Sequence, residues 1–221
     1  MKHITFYLDF ISPYAFLAFE HLPEALKGLS YSVSYRPVFF AGMLKHHGQL
    51  GPAEIAPKRD WTYRQVLWLA NSLGIELQMP ASHPFNPLHL LRLALACSAE
   101  ATPGHPNRHV CEAVFRQVWR GGAEAGDAQR LQALTQQLAP RRDLQDHACA
   151  ASIKAQLEKN TEDAIAKGVF GVPSFALVDK LFWGLDALPM LRDCLEGDAW
   201  FEGAGWENAC QVAAGVSRRP M

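Results

Sequence analysis

The chain has 221 residues, 49% of them hydrophobic, and a net charge of −1, enough apolar material for a large core and no basic face for nucleic acid or an anionic membrane. No apolar run reaches the ~20 residues that span a bilayer. Met1-Lys2-His3-Ile4-Thr5-Phe6-Tyr7 enters strand-like sequence without a leader's apolar region, so a cytoplasmic location is expected.

Ile4–Leu8 reads as the first strand. Pro13 suits the first position of a helix in which Ala15, Phe19, Leu22 and Leu26 keep a 3.6-residue spacing, and Pro23 inside it predicts a kink or a restart. Tyr31, Val33 and Tyr35 alternate with Ser32, Ser34 and Arg36 as a half-buried strand. From about Ala41 to Lys167 the pattern is helical. Asp60 is placed to cap a helix with a stripe at Tyr63, Val66, Leu67, Ala70 and Leu73, stopped by Gly74. Further helices are predicted over Leu88–Ala101, Val110–Trp119, Ala128–Leu138 and Leu144–Lys167. Strands return at Ser174–Val178 and Leu181–Trp183 around a two-residue turn at Asp179-Lys180, and a last helix follows from about Ala187 to Leu195. Gly203–Met221 lacks periodicity and is expected to be a loosely held tail. The order is a βαβ half, a helical block and a ββα half.

Two distant segments carry chemistry. Phe10-Ile11-Ser12-Pro13-Tyr14-Ala15 is a strand end, a small nucleophilic residue, a Pro and a helix start. That is the layout in which a Cys-x-x-Cys site has its thiolate stabilised by the helix dipole. Ser12 and Ala15 stand where the two sulfurs would be, so a thiol has to arrive with a ligand, and glutathione is the obvious candidate. Taken alone, Ser12 before Pro13 is also a good N-cap. The second segment is Gly168-Val169-Phe170-Gly171-Val172-Pro173, with Pro173 at a strand mouth where it has no N–H for the ladder, followed downstream by Trp183-Gly184-Leu185-Asp186.

With Ser12-Pro13-Tyr14 at one end and Gly-Val-Phe-Gly-Val-Pro and Trp-Gly-x-Asp at the other, the chain resembles the 2-hydroxychromene-2-carboxylate isomerase and kappa-class glutathione transferase family. The resemblance runs from Thr5 to about Leu195. It implies an α/β, thioredoxin-like fold of DsbA type with a large all-helical insertion: residues 1–40 and 168–200 as the thioredoxin-like domain, 41–167 as the inserted helical domain and 201–221 as a C-terminal tail. It also implies a glutathione-dependent enzyme, an isomerase or alternatively a transferase or peroxidase, acting on an aromatic carboxylate or other electrophile as a homodimer. A non-catalytic binding module is the reading from another class.

By the same resemblance, Ser12 is the catalytic residue and donates its hydroxyl to the glutathione sulfur, and the Val172-Pro173 bond is cis. Ser12, Pro13, Tyr14, Gln49, Pro57, Val172, Pro173, Trp183, Leu185 and Asp186 would hold glutathione. The backbone of Val172 would pair with the cysteinyl unit, and Asp186 would take the γ-glutamyl ammonium while also capping the last helix. The family has a polar residue and often an Arg where this chain has Leu185 and Ala187, and an Asn where it has Gln49. Lys45 is the first choice of cation for a substrate carboxylate, and His83, Phe85 and Asn86 fall where the family places part of its aromatic-substrate wall.

The five cysteines are scattered with no Cys-x-x-Cys pair and read as small buried apolar residues. His46-His47 and His105-x-x-x-His109-x-Cys111 could suggest metal, but Gly104, Pro106 and Asn107 break the helix that an i,i+4 ligand pair needs, so no metal is expected. The tryptophans read as core and pocket wall.

Overall fold

In the computed structural model, which describes residues 1–213 and 215, the strand Lys2–Leu8 (β1) sorts its side chains by parity, as a pleated strand must. Ile4, Phe6 and Leu8 enter the main core, while Tyr7 joins a smaller cluster on the opposite face with Val38, Met43, Ala164, Val169 and Val172. The helix Pro13–Ala25 (α1) carries the chain over to Tyr31–Pro37 (β2), which lies parallel to β1. Ser174–Leu177 (β3) and Lys180–Trp183 (β4) are added antiparallel on the other side, so the sheet order is β2-β1-β3-β4. The register pairs Tyr7 with Ser174. This brings the turn after β1, with Ser12, to the same end of the sheet as Val172-Pro173, 160 residues away in sequence.

The helices Phe40–His46 (α2), Ala56–Leu73 (α3), Leu88–Ala96 (α4), Arg108–Trp119 (α5), Ala128–Leu138 (α6) and His147–Ala166 (α7) lie between the two halves of the sheet in sequence, and Leu188–Glu196 (α8) and Ala204–Asn208 (α9) follow it. The main core is continuous from the sheet into the helical block: Phe6, Phe16 and Phe19 share it with Leu91, Phe115 and Trp119.

Several boundaries differ from those the sequence predicts, each for a physical reason. α1 runs unbroken through Pro23. Pro23 removes the N–H that the Phe19 carbonyl would receive, and the Arg108 guanidinium donates to that carbonyl instead (3.4 Å) from above the Phe19 ring. α3 starts at Ala56 with Pro57 in its first turn, so Asp60 is an interior, exposed residue and not the cap. α4 stops at Ala96, short of Ala101, because the Ala96 carbonyl accepts from the N–H groups of Arg141 and Arg142. α7 begins at His147, where the Asp146 carboxylate accepts from Cys149 N–H (2.8 Å).

The hairpin turns at Val178-Asp179, one residue earlier than expected, with Val178 at φ +56°. Part of the supposed tail is folded: α9 places Trp206 5.8 Å from Phe182, against the core. The rest of that tail, residue 214 and residues 216–221, lies outside the described residues. Trp119 is buried in the core as expected, whereas Trp61, Trp68 and Trp200 are exposed and are not core residues; Trp183, read as pocket wall, is exposed too. Cys97, Cys111 and Cys194 are buried as expected, whereas Cys149 is half-buried and Cys210 exposed. No helix among the described residues is long and apolar enough to cross a membrane, and no three metal-ligating side chains cluster among them.

Candidate active site

Ser12 caps α1. Its Oγ accepts from Ala15 N–H (3.2 Å) and its carbonyl accepts from Phe16 N–H (3.1 Å). The same hydroxyl donates to the Val172 carbonyl at 3.4 Å, long for an O–H···O bond, and the residue is 7% exposed. The helix needs an oxygen at this position, and a hydroxyl that serves as the cap still has a proton to direct elsewhere, here to Val172.

Opposite it, the Val172-Pro173 bond is cis, as expected, and so is His83-Pro84. The Pro173 carbonyl accepts from Gly184 N–H (2.9 Å), which ties this turn to the end of the hairpin. Trp183 pairs with Ser174 across the strands, and its ring lies 4.9 Å from that of Phe170. A Cβ on Gly171 would sit 2.7 Å from Trp183 Nε1, so only glycine lets the indole approach this backbone. Tyr14, one residue past Pro13, donates its hydroxyl to Gln65 Oε1 on α3 at 2.6 Å. Burial raises the Tyr14 phenol, the Thr62 side chain opposes that, and the Asp186 carboxylate close by raises it further.

The model of a DSBA-like thioredoxin domain matches residues 3–196 of this chain. The chain belongs to the DSBA-like thioredoxin family. The chain is 27% identical over 196 residues to 2-hydroxychromene-2-carboxylate isomerase of Pseudomonas putida, covering 87% of this chain and 93% of the relative. It is 23% identical over 206 residues to glutathione S-transferase kappa 2 of Caenorhabditis elegans, covering 88% and 92%. A solved structure of 2-hydroxychromene-2-carboxylate isomerase matches its fold with a TM-score of 0.75 at 24% identity, covering 96% of this chain and all of that one. These are the two names drawn from the motifs above.

Within this DSBA-like frame, Ser12, Pro13, Tyr14, Val172, Pro173, Trp183 and Asp186 converge on one end of the sheet. Leu185 packs on the main core, and Asp186 lies exposed in the 3-10 turn Leu185–Ala187. Asp186 does not cap α8: the cap position belongs to Ala187 and has no side-chain bond. Lys45, on the last turn of α2, Gln49, just beyond it, and Pro57, at the start of α3, are exposed, and among the described residues no hydrogen bond or ion pair joins them to Ser12, Val172 or Asp186.

Asn86 is used locally, its side chain accepting from Leu88 N–H (3.0 Å) at the start of α4, and Phe85 is half-buried with its ring 6.0 Å from that of His83. The His83 Nε2–H donates to the Ile11 carbonyl at 2.8 Å, directly before Ser12, and burial lowers the imidazole pKa.

Three residues at the site lay outside the sequence reading. Asp9, 0% exposed, accepts from Ile11 N–H (3.2 Å) with one oxygen and from Phe40 N–H (2.9 Å) with the other. It thus caps α2 from a distance, and burial raises its carboxyl to about 7, against the opposing backbone hydrogen bonds. A lone carboxylate within Tyr7-Leu8-Asp9-Phe10-Ile11 was a usable signal. Trp119, whose Nε1–H donates to the Phe10 carbonyl (2.9 Å), and Gln65 gave no local signal, because their roles exist only across the tertiary contact.

Proposed function

We propose that the protein is a glutathione-dependent isomerase of the 2-hydroxychromene-2-carboxylate type, catalysing reversible cis/trans isomerisation to a trans-o-hydroxybenzylidenepyruvate, as a homodimer in the cytoplasm. The observation that carries this reading is the Ser12 hydroxyl at the N-terminus of α1, 3.4 Å from the Val172 carbonyl of a cis X-Pro turn, with Ser12 and Ala15 at the positions of the two thiols. When bound, glutathione would supply the thiolate nucleophile for reversible addition to a conjugated double bond, and the residues of this chain would hold it and stabilise its anion.

The residues present fit that ligand. The single Ser12 hydroxyl proton cannot serve both Val172 and a sulfur. Its 3.4 Å bond is weak, so the proton turns to an arriving thiolate and frees the Val172 carbonyl to accept the cysteinyl N–H. The start of α1 adds ~0.3–1 kcal/mol of anion stabilisation. The exposed Asp186 carboxylate takes the γ-glutamyl ammonium, and the Lys45 ammonium, also exposed, takes the substrate carboxylate. Trp183 and Phe170 offer ring faces at the mouth, although Trp183 is 54% exposed and excludes water on one side only. Hydrogen bonding favours the thiolate and desolvation opposes it; the bound thiol is expected to titrate about one unit below the ~8.5 of the free thiol, which ultraviolet difference titration of the complex measures.

The relative named glutathione S-transferase kappa favours a second reading, a transferase or peroxidase built on the same residues. Turnover of a chromene carboxylate against an aryl halide separates the two. Ser12→Ala is expected to lower turnover about 10²–10³-fold while costing ~0.5–2 kcal/mol of stability as a lost cap. Near-normal turnover in that variant would make Ser12 a cap alone, and failure to bind glutathione at millimolar concentration would leave a non-catalytic binding module.

A further inference from the structure

The turn that carries Ser12 is held at nearly every backbone polar group, and much of the holding comes from the helical block. Trp119 on α5 donates Nε1–H to the Phe10 carbonyl (2.9 Å). Asp9 accepts from Ile11 N–H, and its backbone carbonyl accepts from Ser12 N–H (3.1 Å). The Ile11 carbonyl receives His83 Nε2–H at 2.8 Å. A carbonyl can only accept, so Nε2 carries the proton, and in the neutral ring Nδ1 is the acceptor. Tyr63 of α3 meets that nitrogen with its hydroxyl at 2.8 Å and also lies 2.8 Å from the His83 carbonyl. The ring is packed against Trp119 (5.6 Å), Tyr63 (5.5 Å) and Phe85 (6.0 Å).

We infer that His83 is a positioning residue, and not a wall of the substrate pocket: it fixes the Ile11–Ser12 peptide plane, and through it the direction of the Ser12 hydroxyl. The peptide is held at both ends, its C=O by His83 and its N–H by the Asp9 carbonyl. Releasing one end lets the plane rock and spreads the Ser12 Oγ over a range of positions. Misplacement of a donor aimed at a developing anion is felt in rate before it is felt in binding. His83 needs no change of protonation for this, because Nε2–H donates from the neutral and the protonated ring alike. Tyr63 is the titratable group in contact with the ring, and Arg59 and Asp60 bear on Tyr63. The catalytic meaning rests on the Ser12 reading above; the mechanical claim does not.

The test compares His83→Gln, whose Nε2 can still reach the carbonyl, with His83→Phe, which keeps the ring and loses the donor. Amide hydrogen exchange at Ile11 and Ser12 is measured in the free protein, and the bound glutathione thiol is titrated by ultraviolet difference. His83→Phe is expected to speed exchange at both amides about threefold to tenfold, to move the thiol pKa toward its free value, and to lower kcat with KM little changed. His83→Gln restores all three and leaves the shape of the pH–rate profile unaltered. Should the Phe variant not fold, Tyr63→Phe, which loosens the imidazole from its far side, is expected to move exchange in the same direction.

Unchanged exchange in His83→Phe, or a Gln variant no better than Phe, overturns the proposal. Loss of a limb of the pH–rate profile in His83→Gln would make His83 an acid–base group and overturn it as well. If Ser12→Ala leaves the bound thiol pKa where it was, the Ser12 assignment has failed, and the exchange data alone still decide the role of His83.

Discussion

Replacing Asp9 by Asn should make the protein less sensitive to rising pH. Asp9 is fully buried, and among the described residues no Lys, Arg or His lies within ion-pair distance, so burial lifts its carboxyl from 3.8 to about 7. Between those two values the folded chain binds a proton that the unfolded chain has released. Stability therefore falls as pH rises through that window and levels off above about 7. Integrated from about pH 4.5 to about pH 8, the loss is about 3 kcal/mol. Asn cannot ionise and lacks this loss. It keeps one acceptor and turns an NH₂ toward the Ile11 or Phe40 N–H, a fixed penalty of about 1–3 kcal/mol at every pH. Burial lowers His83 and His105, which gives an opposite slope, but both are common to the two chains and cancel in the difference. Urea unfolding of both proteins at the two pH values measures this. The variant should be clearly the weaker at low pH and should recover about 3 kcal/mol relative to wild type at high pH. A pH-independent difference, or one of opposite sign, would refute the reasoning.

Two further outcomes concern the frame. Arg108→Met should cost about 1–3 kcal/mol, because it strands the Phe19 carbonyl and the Tyr35 hydroxyl; in a Pro23→Ala background, where the alanine supplies the missing N–H, the cost should shrink by about 1 kcal/mol, and equal costs in a double-mutant cycle would show that Arg108 does not serve the proline-freed carbonyl. Val178→Gly should stabilise by about 0.5–1 kcal/mol, since Val178 holds φ +56° and is 94% exposed, and the relief of a left-handed β-branched residue exceeds the entropy glycine adds to the unfolded chain; a lower midpoint in thermal unfolding would contradict this.

Local chemistry was enough to place β1, the start of α1 and the two segments that meet at the site. The apolar stretch Ile4–Leu8, a Ser-Pro helix start and a Pro at a strand mouth are properties of adjacent residues, and the same residues carry the family motifs, so the fold class and the facing of Ser12 and Val172-Pro173 were legible in the sequence. What the sequence could not show are features in which one segment completes another. α2 has no cap of its own and borrows Asp9; α1 survives Pro23 because Arg108 reaches the Phe19 carbonyl from 89 residues away; α4 ends where Arg141 and Arg142 take its last carbonyl. His83 and Asn86 sit three residues apart in one turn-rich stretch, and the family resemblance assigned both to a substrate wall. Tertiary contact separates them, sending the imidazole to the Ile11 carbonyl and the amide to the start of α4. A sequence states which groups need a hydrogen-bond partner. Which partner each one finds is decided by packing, because a buried donor or acceptor is satisfied by whatever the rest of the chain brings within about 3 Å.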